Sequence, residues 1–293
     1  MKDNTKFTRH YTQLFPTVYI SRKINDKHSL SVNYGRRIER PNYEDMNPFI
    51  YFLDSFTYRQ GNPLIMPQFT HNIELSHNFK GQLNTTLNYT YTTDIINDIL
   101  KQIDSTQVTF QTKDNIGERT NFGLSISYNA PVTKWYTVSV YVNGYRNHYK
   151  GIVNELPLDV SLYSYMFNVN NQFRFAKTWG AEVSGFYRST TQDAGIIIAN
   201  PMGVINFAFS KQILQSKGSL RLVLNDPFWI QRFSGYTKFG NIDAQIKSQW
   251  DNRRVGLTFV YRFGKQMQQT QKRKNSTGAA EEQQRVGAGN GQQ

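Results

Sequence analysis

Between residues 254 and 264 every second side chain is large and apolar. Val255, Leu257, Phe259, Tyr261 and Phe263 share one face, while Arg254, Gly256, Thr258, Val260, Arg262 and Gly264 share the other. A period of two is that of a β-strand, whose successive side chains point to opposite sides. The dyad recurs upstream at Leu30, Val32 and Tyr34; at Leu83, Leu87, Tyr89 and Tyr91; at Phe122, Leu124, Ile126 and Tyr128; and at Tyr136, Val138, Val140 and Val142. It returns at Tyr163, Tyr165, Phe167, Val169, Phe173 and Phe175. The intervening positions are mostly Asn, Ser, Thr, Gln and Gly, a face suited to water. Several runs exceed the about 5–6 residues usual for a soluble strand. Residues 82–103 read as one strand of about 70 Å at roughly 3.3 Å per residue. That is taller than the roughly 30 Å hydrocarbon core, so its excess is expected to stand above the membrane.

The longest clean apolar stretch is residues 196–199, and the mean hydropathy is −0.59. Both exclude a helical membrane protein. Neither excludes a β-barrel, whose strands show lipid only every second residue. Short polar turns are expected at residues 25–27, 80–81, 132–134, 177–178 and 215–218, with long segments between them at 36–67, 146–159 and 190–201. Outer-membrane barrels place short turns in the periplasm and long loops outside. Counted this way the chain holds roughly eleven strands, the last running inward. The expected fold is all-β, an antiparallel transmembrane β-barrel. Bacterial barrels close with even strand numbers, and an open edge leaves backbone groups unpaired in hydrocarbon. Eleven strands therefore read as the C-terminal half of a barrel of about 22 strands. Residues 1–10 are polar, without the apolar core of an export signal, which agrees with a fragment. Residues 1–264 are assigned to the partial barrel. Residues 265–293, rich in Gln, Gly, Lys and Asn, are assigned to a disordered periplasmic tail.

The net charge of +13 is dispersed, with part of it in the tail, and forms no dense basic stripe of the kind nucleic acid requires. Absence of Cys removes disulfides and thiol chemistry. His10, His28, His71, His77 and His148 form no close-spaced metal pair, and no cofactor is expected. His71 and His77 share a strand face about 20 Å apart, too far to hold one ion. Trp135, Tyr136 and Trp179, at strand ends, suit the headgroup girdle. No catalytic motif is present, and no enzyme activity is expected. A Ser or Asp gathered with a His at the outer rim would favour an enzyme.

The segment GRRIERPNYEDMNPFIYFLDSFTYRQGNPLIMPQFTHNIELS carries Arg40-Pro41, Tyr43, Asn47-Pro48-Phe49, Gly61-Asn62-Pro63, Leu64 and Pro67. It resembles the outer membrane protein β-barrel family found at the C-terminal end of TonB-dependent receptor-like proteins. NDPFWIQRFSG, residues 225–235, is similar to the Asn-x-Phe segment on the penultimate strand of such receptors, although Pro227 departs from it. NRRVGLTFVYRFG looks like their closing strand. Val255, Leu257, Phe259, Tyr261 and Phe263 are similar to the signal read by the barrel assembly machinery, although the tail past Phe263 departs from receptors that end at the aromatic. The resemblance covers about residues 7–264. It implies an outer-membrane receptor that imports a siderophore, vitamin or oligosaccharide with energy from the TonB complex. The N-terminal plug and remaining strands that TonB import requires are not in this sequence. A barrel that displays loops for adhesion without transport is the alternative. Pro41, Pro48, Pro63 and Pro67 fix φ and suppress strand pairing, so the long loop is expected to be ordered without continuing the sheet. Arg37, Arg40, Tyr43, Tyr51, Tyr58 and Arg59 are its ligand-contact candidates; bracing of the loop is their other reading.

Overall fold

The computed structural model describes residues 12–263 apart from 54, 56, 104–107, 194–195 and 241. The assigned tail, 265–293, lies outside the described residues. The chain begins with β1 (Thr17–Lys23) and β2 (His28–Glu39), then leaves the sheet through α1 (Tyr43–Met46), β3 (Ile50–Phe52) and β4 (Thr57–Gln60). It returns as β5 (Gln68–Phe79) and β6 (Leu83–Thr93) and leaves again as β7 (Ile96–Ile103) and β8 (Val108–Asn115). Four strands follow without interruption: β9 (Gly117–Pro131), β10 (Tyr136–Val153), β11 (Leu156–Phe175) and β12 (Trp179–Arg188). A third excursion gives β13 (Thr191–Asp193) and β14 (Ile197–Ala199), before β15 (Met202–Ile213) and β16 (Gly218–Asn225). A fourth gives β17 (Phe233–Phe239) and β18 (Ile242–Ser248), and β19 (Arg254–Tyr261) ends the series.

The main sheet has eleven strands in the order β1-β2-β5-β6-β9-β10-β11-β12-β15-β16-β19, all antiparallel to their neighbours. This is the expected count. All the excursions leave from one end of the sheet; the other end carries only short turns. Two four-stranded sheets, β3-β4-β8-β7 and β13-β14-β17-β18, stand at the long-loop end.

Cross-strand register aligns the apolar positions into one continuous face. Ile20 pairs with Val32, Val32 with Leu75, Leu75 with Leu87, and Leu87 with Leu124. Farther along, Val183 pairs with Phe207, Phe207 with Leu224, and Leu224 with Val255. Even away from the sheet edges these side chains stay open: Leu75 is 40% exposed, and Leu87 and Leu124 41%. An apolar face of this extent is incompatible with water and matches hydrocarbon. On the opposite face, amides and hydroxyls bond one another across the strands. Asn88 Nδ2 donates to Asn121 Oδ1 at 2.8 Å, and Asn121 Nδ2 to Asn147 Oδ1 at 2.7 Å. Thr90 donates to Asn72 at 2.7 Å, and Asn170 to Glu182 at 2.7 Å.

Two expectations are corrected. Residues 82–103 are not one strand: Asp94, at φ 54°, turns the chain out of the main sheet, and β7 joins β8 in a separate one. Residues 146–159 are not a loop either. β10 and β11 pair without a break to Val153 and Leu156, closing through Asn154 and Glu155 at φ 50° and 67°. Two successive left-handed residues define the tight hairpin turn that matches strand twist. Of the segment 36–67, residues 36–39 continue β2 in the main sheet, paired with β5, and only 40–67 leave it, building a helix and a hairpin of their own.

The buried core lies at the long-loop end. Ile95, Ile99, Ile116, Tyr149, Val153, Leu158 and Ile196 form one cluster, with Phe239 packed against it. It joins the β10–β11 hairpin to both small sheets.

Candidate functional site

The loop after β2 is clamped at several points. Gly61 N–H donates to the Asn47 carbonyl at 2.9 Å and Asn62 N–H to that of Asp45 at 2.7 Å. A Cβ at Gly61 would stand 2.5 Å from Asn47 O and 2.7 Å from Glu44 O, so only glycine permits this approach. The sequence words Asn47-Pro48 and Gly61-Asn62-Pro63 are thus the two sides of one contact. Asp45 is buried, and Lys113 Nζ at 3.2 Å and Arg59 at 3.9 Å neutralise it.

β8 supplies the other half of the clamp through three consecutive residues absent from the sequence candidates. Lys113 meets Asp45, Asp114 accepts from Asn62 Nδ2 at 3.2 Å, and Asn115 bonds the Met66 N–H and carbonyl and the Asp94 carbonyl. The signal that marks them is a polar Lys-Asp-Asn run next to Gly117, whose φ of 118° allows the chain to re-enter the sheet.

The six loop candidates divide. Tyr51 and Arg59 are cross-strand neighbours in the β3–β4 hairpin. Tyr58 stacks on Phe110 with ring centroids 5.1 Å apart and braces β4 to β8. Tyr43 and Tyr51 remain exposed, as does Arg40. Arg37 belongs to β2 and donates to Thr17 Oγ1 on β1 at 2.9 Å. At the rim Tyr43, Tyr51 and Arg40 are exposed, while Tyr58 stacks on β8 and Arg59 reaches toward Asp45.

At the closing end, Asp226 is buried and accepts the N–H groups of Ile230 and Gln231 at 2.8 and 3.0 Å. It thereby shapes the turn that carries Trp229, whose ring meets the guanidiniums of Arg232 and Arg253 at 3.9 and 5.0 Å from its centre. Of segment 225–235 only Asn225 lies on β16, the penultimate strand of the main sheet; residues 226–232 form the turn and 233–235 begin β17, so the segment does not run along that strand as the resemblance implied. The residues compared with the assembly signal stand on the apolar face of β19 and just past it.

The rim also gathers a serine, a histidine and an aspartate. His148 Nε2 meets Asp159 Oδ1 at 2.7 Å, with Ser161 opposite His148 in register. Ser161 Oγ instead accepts from Arg146 Nε at 3.2 Å, and no bond joins it to His148 among the described residues. The nucleophile–base contact of acyl transfer is not made. At the short-turn end, His28 Nδ1 lies 3.0 Å from His77 Nε2, a pair 49 residues apart that spacing did not anticipate. His71 contacts Tyr34 instead, at 3.0 Å. Among the described residues no three His, Cys, Asp or Glu side chains converge on a possible metal position.

A long antiparallel meander, apolar on one face and hydrogen-bonding on the other, with short turns at one end and elaborate loops at the other, defines a membrane-spanning sheet of outer-membrane type. The chain belongs to the outer membrane protein β-barrel family, whose profile matches residues 1–261. Among functionally curated proteins none matches. Among solved structures, the siderophore receptor PirA from Pseudomonas aeruginosa is similar at a TM-score of 0.53 and 13% identity, over 73% of this chain and 36% of that one. The FrpB iron transporter from Neisseria meningitidis is similar at 0.53 and 16%, over 86% and 39%. A variant of the ferric enterobactin receptor PfeA from Pseudomonas aeruginosa, in complex with enterobactin, is similar at 0.50 and 14%, over 74% and 35%. At these identities the likeness is one of fold, and this chain spans well under half the length of each.

Proposed function

We propose that this chain forms eleven consecutive strands of a closed outer-membrane barrel of about 22, within a receptor that imports a ligand using energy from TonB. The observation that carries this reading is the main sheet itself: β1 and β19 are its two edges, and its apolar face is continuous from one to the other. In hydrocarbon each edge requires a partner strand. The remaining strands and the plug are supplied by further polypeptide, and β19 carries the assembly signal for the insertion machinery. The resemblance to receptors for siderophores and iron supports a small chelate as ligand, with a vitamin or an oligosaccharide as the other classes. The long-loop end faces outward, Tyr43, Tyr51 and Arg40 contact the ligand from the rim, and residues 265–293 lie in the periplasm.

Two readouts test this. The sequence holds no Cys, so single cysteines report cleanly. In intact cells carrying the complete receptor, a membrane-impermeant maleimide labels Glu155→Cys, exposed in the β10–β11 turn, and leaves Lys27→Cys unlabelled until lysis. Against a panel of ferric chelates, vitamins and oligosaccharides, loss of the receptor and loss of TonB abolish uptake of the same compound. Uptake indifferent to both deletions refutes import.

A further inference from the structure

On the apolar face of β10, Val138, Val140 and Val142 give way to Gly144 and then Arg146. Gly144 lies between Leu124 on β9 and Tyr165 on β11 in register, and a Cβ placed on it would meet nothing within 4 Å. It leaves an open notch in a wall otherwise lined by large side chains. Directly above the notch, Arg146 has Phe122 and Tyr163 as its cross-strand neighbours, both more than half exposed. Its guanidinium lies 5.7 Å from the Tyr163 ring centre, and Nε is held by Ser161.

The height of this arrangement is set by the strand. Ten residues separate Arg146 from Tyr136, which stacks on Phe173 at the short-turn end with centroids 5.0 Å apart. At about 3.3 Å per residue and a tilt of about 40°, that is about 25 Å along the membrane normal, the height of an outer-membrane apolar band. Arg146 is therefore the first cation above the hydrocarbon. The nearby carboxylates are already engaged four residues higher, both opposite Lys150 in register: Asp159 holds His148, and Glu118 accepts from the Tyr91 hydroxyl. Neither carboxylate stands opposite Arg146.

We propose that the Gly144 notch and Arg146 form a docking site for a lipid of the outward-facing leaflet, with an acyl chain over Gly144 and the headgroup phosphate on the guanidinium. This rests on the outward orientation of the β10–β11 hairpin proposed above. The occupant follows from the site: an apolar recess at membrane depth, topped by a cation fixed at the headgroup level, is complementary to a phosphorylated lipid and to neither a peptide nor a free anion.

The test is native mass spectrometry of the complete receptor in mixed micelles containing phosphatidylethanolamine and either monophosphoryl lipid A or its dephosphorylated form. The phosphorylated lipid is retained about fivefold more than the dephosphorylated one, and Arg146→Gln abolishes that preference. Gly144→Leu, at a position with room for the side chain, weakens retention of both forms. An undiminished preference in Arg146→Gln, or unchanged retention in Gly144→Leu, overturns the site. Failure of Glu155→Cys to label from outside refutes the orientation independently, and with it the assignment to the outward leaflet.

Discussion

Gly61→Ala tests whether the long loop is a separately closed clamp. The added methyl would lie 2.5 Å from Asn47 O, where 3.4 Å is the lower end of ordinary contact, and 2.7 Å from both Asn47 N and Glu44 O. These are backbone atoms, so reaching ordinary contact requires the Gly61 backbone to back away from that of Asn47 by about 0.9 Å. That stretches the Gly61-to-Asn47 and Asn62-to-Asp45 hydrogen bonds together. Losing two such bonds costs about 2 kcal/mol, and the residual crowding about 1 kcal/mol more. About 3 kcal/mol raises the opening equilibrium of the loop on the order of 100-fold. Hydrogen–deuterium exchange on the purified, complete protein reads this directly. Amides of residues 44–66 exchange about 100-fold faster, while those of β9 to β12 are unchanged. Wild-type protection in the loop refutes the clamp, and faster exchange throughout the main sheet refutes its independence.

Three further outcomes are expected. Asp45→Ala leaves Lys113 and Arg59 without their shared carboxylate, destabilises the loop by about 1–3 kcal/mol, and is detected as faster proteolysis confined to residues 40–67. Leu257→Arg on the apolar face of β19 costs about 2–4 kcal/mol of folding stability in bilayers, whereas Thr258→Arg on the opposite face costs far less; equal costs in vesicle refolding titrations contradict the assignment of faces. The Arg253 side chain and backbone N–H bond Asp251 and lower its pKa to about 2. Because the folded value lies below the ordinary 3.8, the stabilisation is complete above about pH 4 and is lost as the pH falls toward 2. Carboxyl NMR of the wild type and of Asp251→Asn identifies the resonance, and a midpoint near 3.8 sinks the contact.

The strand count was legible because the membrane imposes one rule on every strand: apolar outside, polar inside, period two. The hairpin extension was not, because that rule inverts from the headgroup level upward. There Arg146, His148 and Lys150 stand on the outward face, while Tyr149 and Val153 turn inward to the buried cluster. A segment with polar residues on the formerly apolar face reads as a loop although the pairing continues. The break at Asp94 was hidden for a different reason. One left-handed residue redirects the chain, and the strand that follows, with its apolar residues at 96, 99, 100 and 103, serves another sheet.

At the rim, the loop's sequence words were visible, but their meaning was partly three-dimensional. Gly61 is required by the backbone of Asn47, and Asp45 by Lys113, 68 residues away. No local pattern ties Lys113, Asp114 and Asn115 to that loop. The same holds for His28 and His77, which meet only because β2 and β5 pair in one register. Long-range charge and hydrogen-bond partners become legible once strand order is known.

The central claim is that the eleven strands belong to a larger closed barrel. Reading the DNA upstream of Met1 tests it most directly. The account predicts a continuous reading frame encoding an export signal, a plug and about eleven more alternating strands. An in-frame stop immediately upstream, together with a stably folded 293-residue product in the outer membrane, would contradict it.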